Sequence, residues 1–203
     1  MSGWIKICGM TDDAAVAAAL AAGVDAIGFV FAPSVRQVTP QRAAELARAA
    51  RHRVQCIAVT RHPAQSLVDE LIRVFDPDVL QTDVEDYAAL TLPDSLPRLP
   101  VLRAGGCRDA AGPLPARLLF EGPHSGTGQL SDWQEAARLA RAARLTLAGG
   151  LNAANVAAAI RAVQPFGVDT SSGVETQPGV KSAAKIAVFV AAARAAFSEA
   201  ELA

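Results

Sequence analysis

Two stretches of this 203-residue sequence carry residue types and spacings suited to chemistry. The first is Lys6-Ile7-Cys8-Gly9-Met10-Thr11, in which Cys8 closes a short apolar run. A lone cysteine is ordinarily a small, inert hydrophobe. At the end of a strand that opens into a cleft, its thiolate would be a base or a nucleophile if nearby cations or dipoles favoured it. The second is glycine punctuation in Ala148-Gly149-Gly150-Leu151-Asn152 and Asp169-Thr170-Ser171-Ser172-Gly173-Val174-Glu175. Glycines let backbone N–H groups converge on an anion, and a following helix N-terminus adds positive potential. The same glycines also suit plain tight turns. Further polar residues end apolar runs: Arg36, Gln81, Asp83, Arg103, Glu121 and Asp169.

The elements that must position these residues alternate. Short Val/Ile/Leu-rich runs predict eight strands: Trp4–Cys8, Ala26–Val30, Val54–Val59, Val79–Gln81, Pro100–Arg103, Arg117–Glu121, Leu145–Ala148 and Val168–Thr170. Helical stretches are predicted at Asp12–Ala22, Pro40–Ala50, Ala64–Val74, Asp132–Ala143, Ala153–Val163 and Ser182–Ala196, with weak turns near Asp86–Leu90 and Asp109. Thr11, Asp12, Thr39 before Pro40, and Asn152 suit helix starts. Gly23 and Gly167 stand where helix exits are expected. The strands lack clean alternation, as strands buried on both faces do. The segment Leu92–Pro100 is proline-rich and reads as a surface connection. Strand–helix alternation implies parallel pairing with right-handed crossovers. Eight units in this length fit one α/β domain over residues 1–203, a minimal (β/α)8 (TIM) barrel. A doubly wound sheet would carry fewer strands, and no G-x-G-x-x-G follows the first. In such a barrel these polar residues share the C-terminal mouth, and the last two loops form the common phosphate site.

Composition narrows the function classes. The net charge of -1 removes the usual electrostatic motive for binding nucleic acid. No apolar run is long enough to span a membrane, and the N-terminus does not read as a signal peptide. Three dispersed cysteines, Cys8, Cys56 and Cys107, make neither a zinc knuckle nor a disulfide framework. A cytoplasmic protein with a small-molecule partner is expected, as a monomer or a homodimer.

The motifs taken together resemble the phosphoribosylanthranilate isomerase family of tryptophan biosynthesis. They are KICGMT, GFVFAPSVRQVTP (residues 28–40), SGTG (125–128) with SDW (131–133), LAGGLNAANVAAAI (147–160) and GVDTSSGVETQPGVKSAAKI (167–186), in family order across nearly the whole chain. The resemblance implies an Amadori rearrangement of N-(5-phosphoribosyl)anthranilate to 1-(2-carboxyphenylamino)-1-deoxyribulose 5-phosphate, with no metal or organic cofactor. A general acid opens the ribose ring to an iminium, and a general base removes the C2 proton.

It further implies that Cys8 is the base and that Arg36 binds the anthranilate carboxylate. Asp169 would hydrogen-bond a substrate hydroxyl or the amine. Gly149, Gly150, Ser171, Ser172 and Gly173 would hold the phosphate. Two positions depart from the family. Strand six usually ends L-L-D; here Leu119-Phe120-Glu121 puts Glu121 at the acid position, where apolar neighbours such as Phe120, or another carboxylate nearby, are expected to keep it protonated. Strand four usually reads Q-L-H-G; here Gln81 is kept, to hydrogen-bond within the mouth, and Asp83 replaces the histidine and is expected to orient Arg36 or another cation. His52 and His62 are expected to face solvent, and His124 to lie in a loop near the active face. Cys56 and Cys107 are expected to be structural. The related aminoimidazole ribonucleotide isomerase of histidine biosynthesis and a non-catalytic phosphosugar-binding barrel are the alternatives.

Overall fold

The computed structural model describes residues 3–105, 114–122 and 132–202. Eight parallel strands close a barrel in chain order: β1 Trp4–Cys8, β2 Ala26–Val30, β3 Gln55–Val59, β4 Val79–Asp83, β5 Arg98–Arg103, β6 Arg117–Glu121, β7 Arg144–Leu147 and β8 Gly167–Thr170. The outer layer contains α1 Asp13–Ala22, α2 Pro40–Ala47, α3 Gln65–Glu70, α4 Trp133–Ala140, α5 Val156–Val163 and α6 Ala183–Leu202. A two-stranded antiparallel hairpin, β9 Glu175–Gln177 with β10 Val180–Lys181, rises from the loop after β8. This is the expected single-domain (β/α)8 barrel. The SGTG segment, Cys107, His124, Ser131 and the turn near Asp109 lie outside the described residues.

Local chemistry starts the helices where the sequence indicates. The Asp12 carboxylate accepts from Ala15 N–H at 2.7 Å, and Thr39 accepts from Arg42 N–H ahead of Pro40. Gly23 ends α1 in the left-handed conformation. Gly167 is not a helix exit. Gln164, at φ 50°, ends α5, and Gly167 opens β8. A Cβ there would stand 2.5 Å from Trp4 O, so the missing side chain lets β8 approach β1. Asn152 lies one turn before α5, exchanging hydrogen bonds with Asn155 and Ala154. The β5 strand starts at Arg98, inside the stretch read as a connection. Its parallel register with β4, from Leu80↔Arg98 to Asp83↔Val101, overrides the local proline signal. After α3 the helix widens into a π turn over Leu71–Phe75, and the turn after β4 is a short 3-10 helix over Val84–Ala88. The last helix extends past Ala196 to Leu202.

The period of two along each strand sorts the core into two shells. Outward residues such as Ile5, Ile7, Phe29, Phe120 and Val168 pack with the helices. Inward residues Trp4, Ile57, Val79, Leu99, Val101 and Leu119 fill the barrel. At the N-terminal end of the strands, Trp4 and Phe166 stack with centroids 6.4 Å apart. Arg117 lies 4.8 Å from the Trp4 ring centre and Arg144 4.1 Å from that of Phe166. This stack closes that end of the barrel. Cys56 faces the helices at zero exposure, and burial pushes its thiol up to about 11, which fits a structural residue. No helix among the described residues is long and apolar enough to cross a membrane.

Candidate active site at the barrel mouth

A cavity of about 210 Å³ opens at the C-terminal ends of the strands. Cys8, Arg36, Gln81, Glu121, Asp169 and Ser171 line it together, so the structure brings most of the singled-out residues to one place. Strand parity explains most of this: Cys8, Gln81, Glu121 and Asp169 are inward residues at or near the ends of their strands and Ser171 begins the loop after β8, while Arg36 comes from within the β2–α2 connection and is held there by Glu175. Arg103, Arg61 and Thr60 line the same cavity.

Cys8 is 7% exposed and ends β1. Two residues below it on the same face is Lys6, with no exposure at all. Lys6 Nζ meets Asp169 Oδ1 at 2.9 Å. These two are register partners on the neighbouring parallel strands β1 and β8, so the sheet itself sets the pair. Burial works against a charged Lys6, but Asp169 and Cys8 outweigh it and hold the ammonium above its ordinary value. Burial pushes the Cys8 thiol up, and Lys6 and Lys181 pull against that shift.

Arg36 is anchored by Glu175. Its Nε and Nη2 donate to the two carboxylate oxygens, each at 2.7 Å. Among the described residues no acceptor takes Nη1, which leaves one edge of the guanidinium for a ligand. Lys181, fully buried, donates to Glu175 at 2.7 Å and to Ser171 Oγ at 3.1 Å. Ser171 Oγ in turn donates to Cys8 O. Burial pushes the Glu175 carboxyl up, yet Arg36 and Lys181 hold it down at about 2.

On the other side of the mouth, Arg103 bridges two carboxylates. It donates to Asp83 at 2.6 and 3.2 Å and pairs with Glu121, its register partner across β5 and β6. The expected contact between Glu121 and Phe120 does not form. Consecutive strand residues point to opposite faces, so Phe120 packs outward among the helices. The cation that Asp83 orients is Arg103, while Arg36 belongs to Glu175. His62 is exposed but not loose. It adopts φ 47°, its N–H and Nδ1 both engage Asp86, and its Nε2 lies 3.7 Å from Asp83. His52 is exposed, as expected.

The two glycine loops are packed onto each other. Gly149 and Gly150 take φ values of 89° and 67°. A Cβ on Gly173 would stand 2.0 Å from Leu151 O, and Thr170 Oγ1 donates to that same oxygen at 2.7 Å. Ser172 faces an adjoining groove with Arg36 and Glu175 rather than the main cavity. Gln81 Oε1 is buried with no hydrogen-bond partner among the described residues, and its side chain lines the mouth cavity, where a ligand could donate to it.

Lys6, Arg103, Glu175 and Lys181 belong to the site although the sequence does not single out their roles. For Lys6 a signal exists: it shares parity with Cys8 in an otherwise apolar strand, where a charge needs a partner. The partners of Glu175 and Lys181 depend on a hairpin that periodicity does not reveal.

The sequence matches the family N-(5'phosphoribosyl)anthranilate (PRA) isomerase over residues 5–192. N-(5'-phosphoribosyl)anthranilate isomerase of Mesorhizobium japonicum is 38% identical over 95% of each chain. Among solved structures, TrpF from Jonesia denitrificans has a TM-score of 0.80 and 36% identity, covering 96% of this chain and 98% of that one. A phosphoribosyl anthranilate isomerase in complex with reduced 1-(o-carboxyphenylamino)-1-deoxyribulose 5-phosphate has a TM-score of 0.80 and 26% identity, covering 95% of this chain and 99% of that one.

Proposed function

The chain belongs to the N-(5'-phosphoribosyl)anthranilate isomerase family and is an isomerase of tryptophan biosynthesis, and we propose that Cys8 and Glu121 are its general base and general acid. Family membership favours this reaction over the histidine-pathway isomerase and over a non-catalytic barrel. One observation carries the assignment of roles: a thiol from β1 and a carboxyl from β6 line the same cavity as Arg36, Gln81 and Asp169.

The reaction divides between the two sides of the mouth. Glu121 protonates the furanose oxygen, and the ring opens to an iminium. The cationic nitrogen acidifies the adjacent C2–H, so a thiolate is a sufficient base. Cys8 takes that proton, and the enolamine tautomerises to the ketone. Such proton transfers contribute roughly 10²–10⁴-fold each. When Glu121 carries its proton, Asp83 still holds Arg103 through two hydrogen bonds, so the acid can change charge without releasing the arginine.

Binding follows the same logic. The open edge of Arg36 takes the anthranilate carboxylate, with Glu175 fixing the guanidinium plane. Gln81 Oε1 accepts from a substrate hydroxyl, and the Asp169 oxygen not held by Lys6 takes another hydroxyl or the amine. Gly149, Gly150, Ser171, Ser172 and Gly173 cradle the phosphate. The free thiols Cys8 and Cys56 suit a reducing cytoplasm. One domain over residues 1–203, acting as monomer or homodimer, completes this reading; light scattering distinguishes the two states.

The test is turnover of freshly made N-(5-phosphoribosyl)anthranilate, followed as loss of anthranilate fluorescence. Alkylation by iodoacetamide is expected to abolish turnover, with the reduced product analogue protecting. Full turnover by enzyme alkylated at Cys8 overturns the assignment of the base.

A further inference from the structure

Lys6 is a charged side chain inside the barrel with no exposure to solvent. Placing an ammonium there is costly unless it is paired. Asp169 supplies the pair at 2.9 Å, and the register of β1 against β8 fixes it. The pair alone does not account for where the ammonium points. Gly28, the register partner of Cys8 on β2, shows this. A Cβ on Gly28 would lie 3.0 Å from Cys8 Sγ, 3.1 Å from Lys6 Cε and 3.2 Å from Lys6 Nζ. The thiol and the ammonium therefore converge on the one patch of β2 that has no side chain. An alanine at position 28 would press on both.

We propose that Lys6 is a positioning residue that acts through Cys8: its ammonium, tethered by Asp169 and admitted by Gly28, is the counter-ion for the Cys8 thiolate. The proposal rests on the reading of Cys8 as the base, and it assigns that base its charge partner. A thiol in a dry barrel stays protonated, because burial disfavours the anion. An ammonium beside the sulfur, both flanking the bare Gly28, favours the anion by direct attraction, and more strongly inside than in water. Asp169 prevents the lysine from swinging up to solvent and works with one oxygen only, leaving the other for substrate. Lys181 and Arg36 also face the thiol, but Lys181 is committed to Glu175 and Ser171 and Arg36 to Glu175, whereas the hydrogen bond that Lys6 makes among the described residues goes to Asp169 alone.

The experiment measures the thiol, not turnover alone. In a background with Cys56→Ala and Cys107→Ala, the rate of iodoacetamide alkylation of Cys8 is followed against pH. In Lys6→Met the midpoint is expected to move upward by about one pH unit or more, a tenfold loss of thiolate at a given pH below it. The value of kcat is expected to fall about 10-fold or more, with KM little changed, because the base acts only in the chemical step. Lys6→Arg keeps a cation and is expected to restore part of both. Lys6→Met with Asp169→Asn removes both charges, so the profile is also read without an orphaned carboxylate. Gly28→Ala keeps every charged group and is expected to raise the midpoint by displacing sulfur and ammonium. An unchanged midpoint in the folded Lys6→Met proteins overturns the proposal; if these do not fold, an unchanged midpoint in Gly28→Ala does so. Failure of the underlying reading looks different: Cys8→Ala would then turn over normally, whatever the alkylation profile shows.

Discussion

The barrel uses one device twice, at two depths. Lys6 with Asp169 and Arg103 with Glu121 are both ion pairs between register partners on adjacent parallel strands. The first lies in the body of β1 and β8, its lysine completely enclosed. The second joins the last residues of β5 and β6, with 17% and 14% of the two side chains exposed. Depth decides what each pair can do. Enclosed charges have no water to replace a lost partner, so the deep pair holds a fixed arrangement beneath the base. At the rim, water and a second carboxylate stand ready, so the pair can give up a charge during the reaction. In the proposed roles of Cys8 and Glu121, a base that needs a constant electrostatic setting and an acid that must gain and lose a proton would thus be served by the same motif at two depths.

Breaking the deep side is expected to have the largest effect. Cys8→Ala should lower kcat by roughly 10²–10⁴-fold while leaving the Kd of the reduced product analogue close to wild type, measured by titration calorimetry. An equal loss of affinity would mean that the sulfur binds substrate rather than moving a proton. Next is the rim. Glu121→Gln keeps shape and removes the transferable proton, and kcat should fall by on the order of 10²-fold with KM little changed. Glu121→Asp should retain partial activity, its reach one methylene short. If Glu121→Gln is fully active, the acid lies elsewhere, with Asp83 and Asp169 next in line.

The smallest effect sharpens the comparison through pH. Glu175 sits between the two regimes, buried at the hairpin yet held down from the ordinary 4.5 to about 2 by Arg36 and Lys181 against the pull of burial. A depressed carboxyl contributes stability above its unfolded pKa and loses it as the pH falls through the folded one. The wild type should therefore lose stability between about pH 4.5 and 2 in part through this group. Glu175→Gln should be less stable at neutral pH but flatter across that interval, so that the two curves converge in acid. Urea unfolding at a series of pH values measures this, and parallel curves would contradict it.

The barrel was legible because its signals are local. Apolar runs, Asp12, Thr39 and Gly23 mark where elements begin and end, and each works through bonds to near neighbours. Cys8, Gln81, Glu121 and Asp169 were legible as candidates because the inward residues near a strand's end must face the mouth, and Arg36, which lies in the connection after β2, was legible only through its motif. What failed were statements about partners. Gly167 looks like a helix exit until β8 is seen lying against Trp4. Phe120 looks like a cover for Glu121 until the strand's parity sends it outward. Asp83 looks like a partner for Arg36 until Glu175, far along the chain from that arginine, takes the place. The first and the last depend on register or loop packing across more than a hundred residues, which no local window contains, whereas the second follows from parity once β6 is placed.

The stacked floor of Trp4, Phe166, Arg117 and Arg144 gives the reaction a sense of direction in space. With aromatic faces and guanidinium planes stacked at the lower end of the barrel, the Cys8 sulfur faces the cavity at the mouth, where the substrate would lie. With Cys8 as the proposed base, a hydrogen lifted from C2 would leave by that side, past the ligand. While the ligand sits overhead, that hydrogen is more readily handed back to the same molecule than exchanged with water. A deuterium placed at C2 of the substrate would on this account surface partly in the product, and its retention would measure how tightly the vessel is sealed.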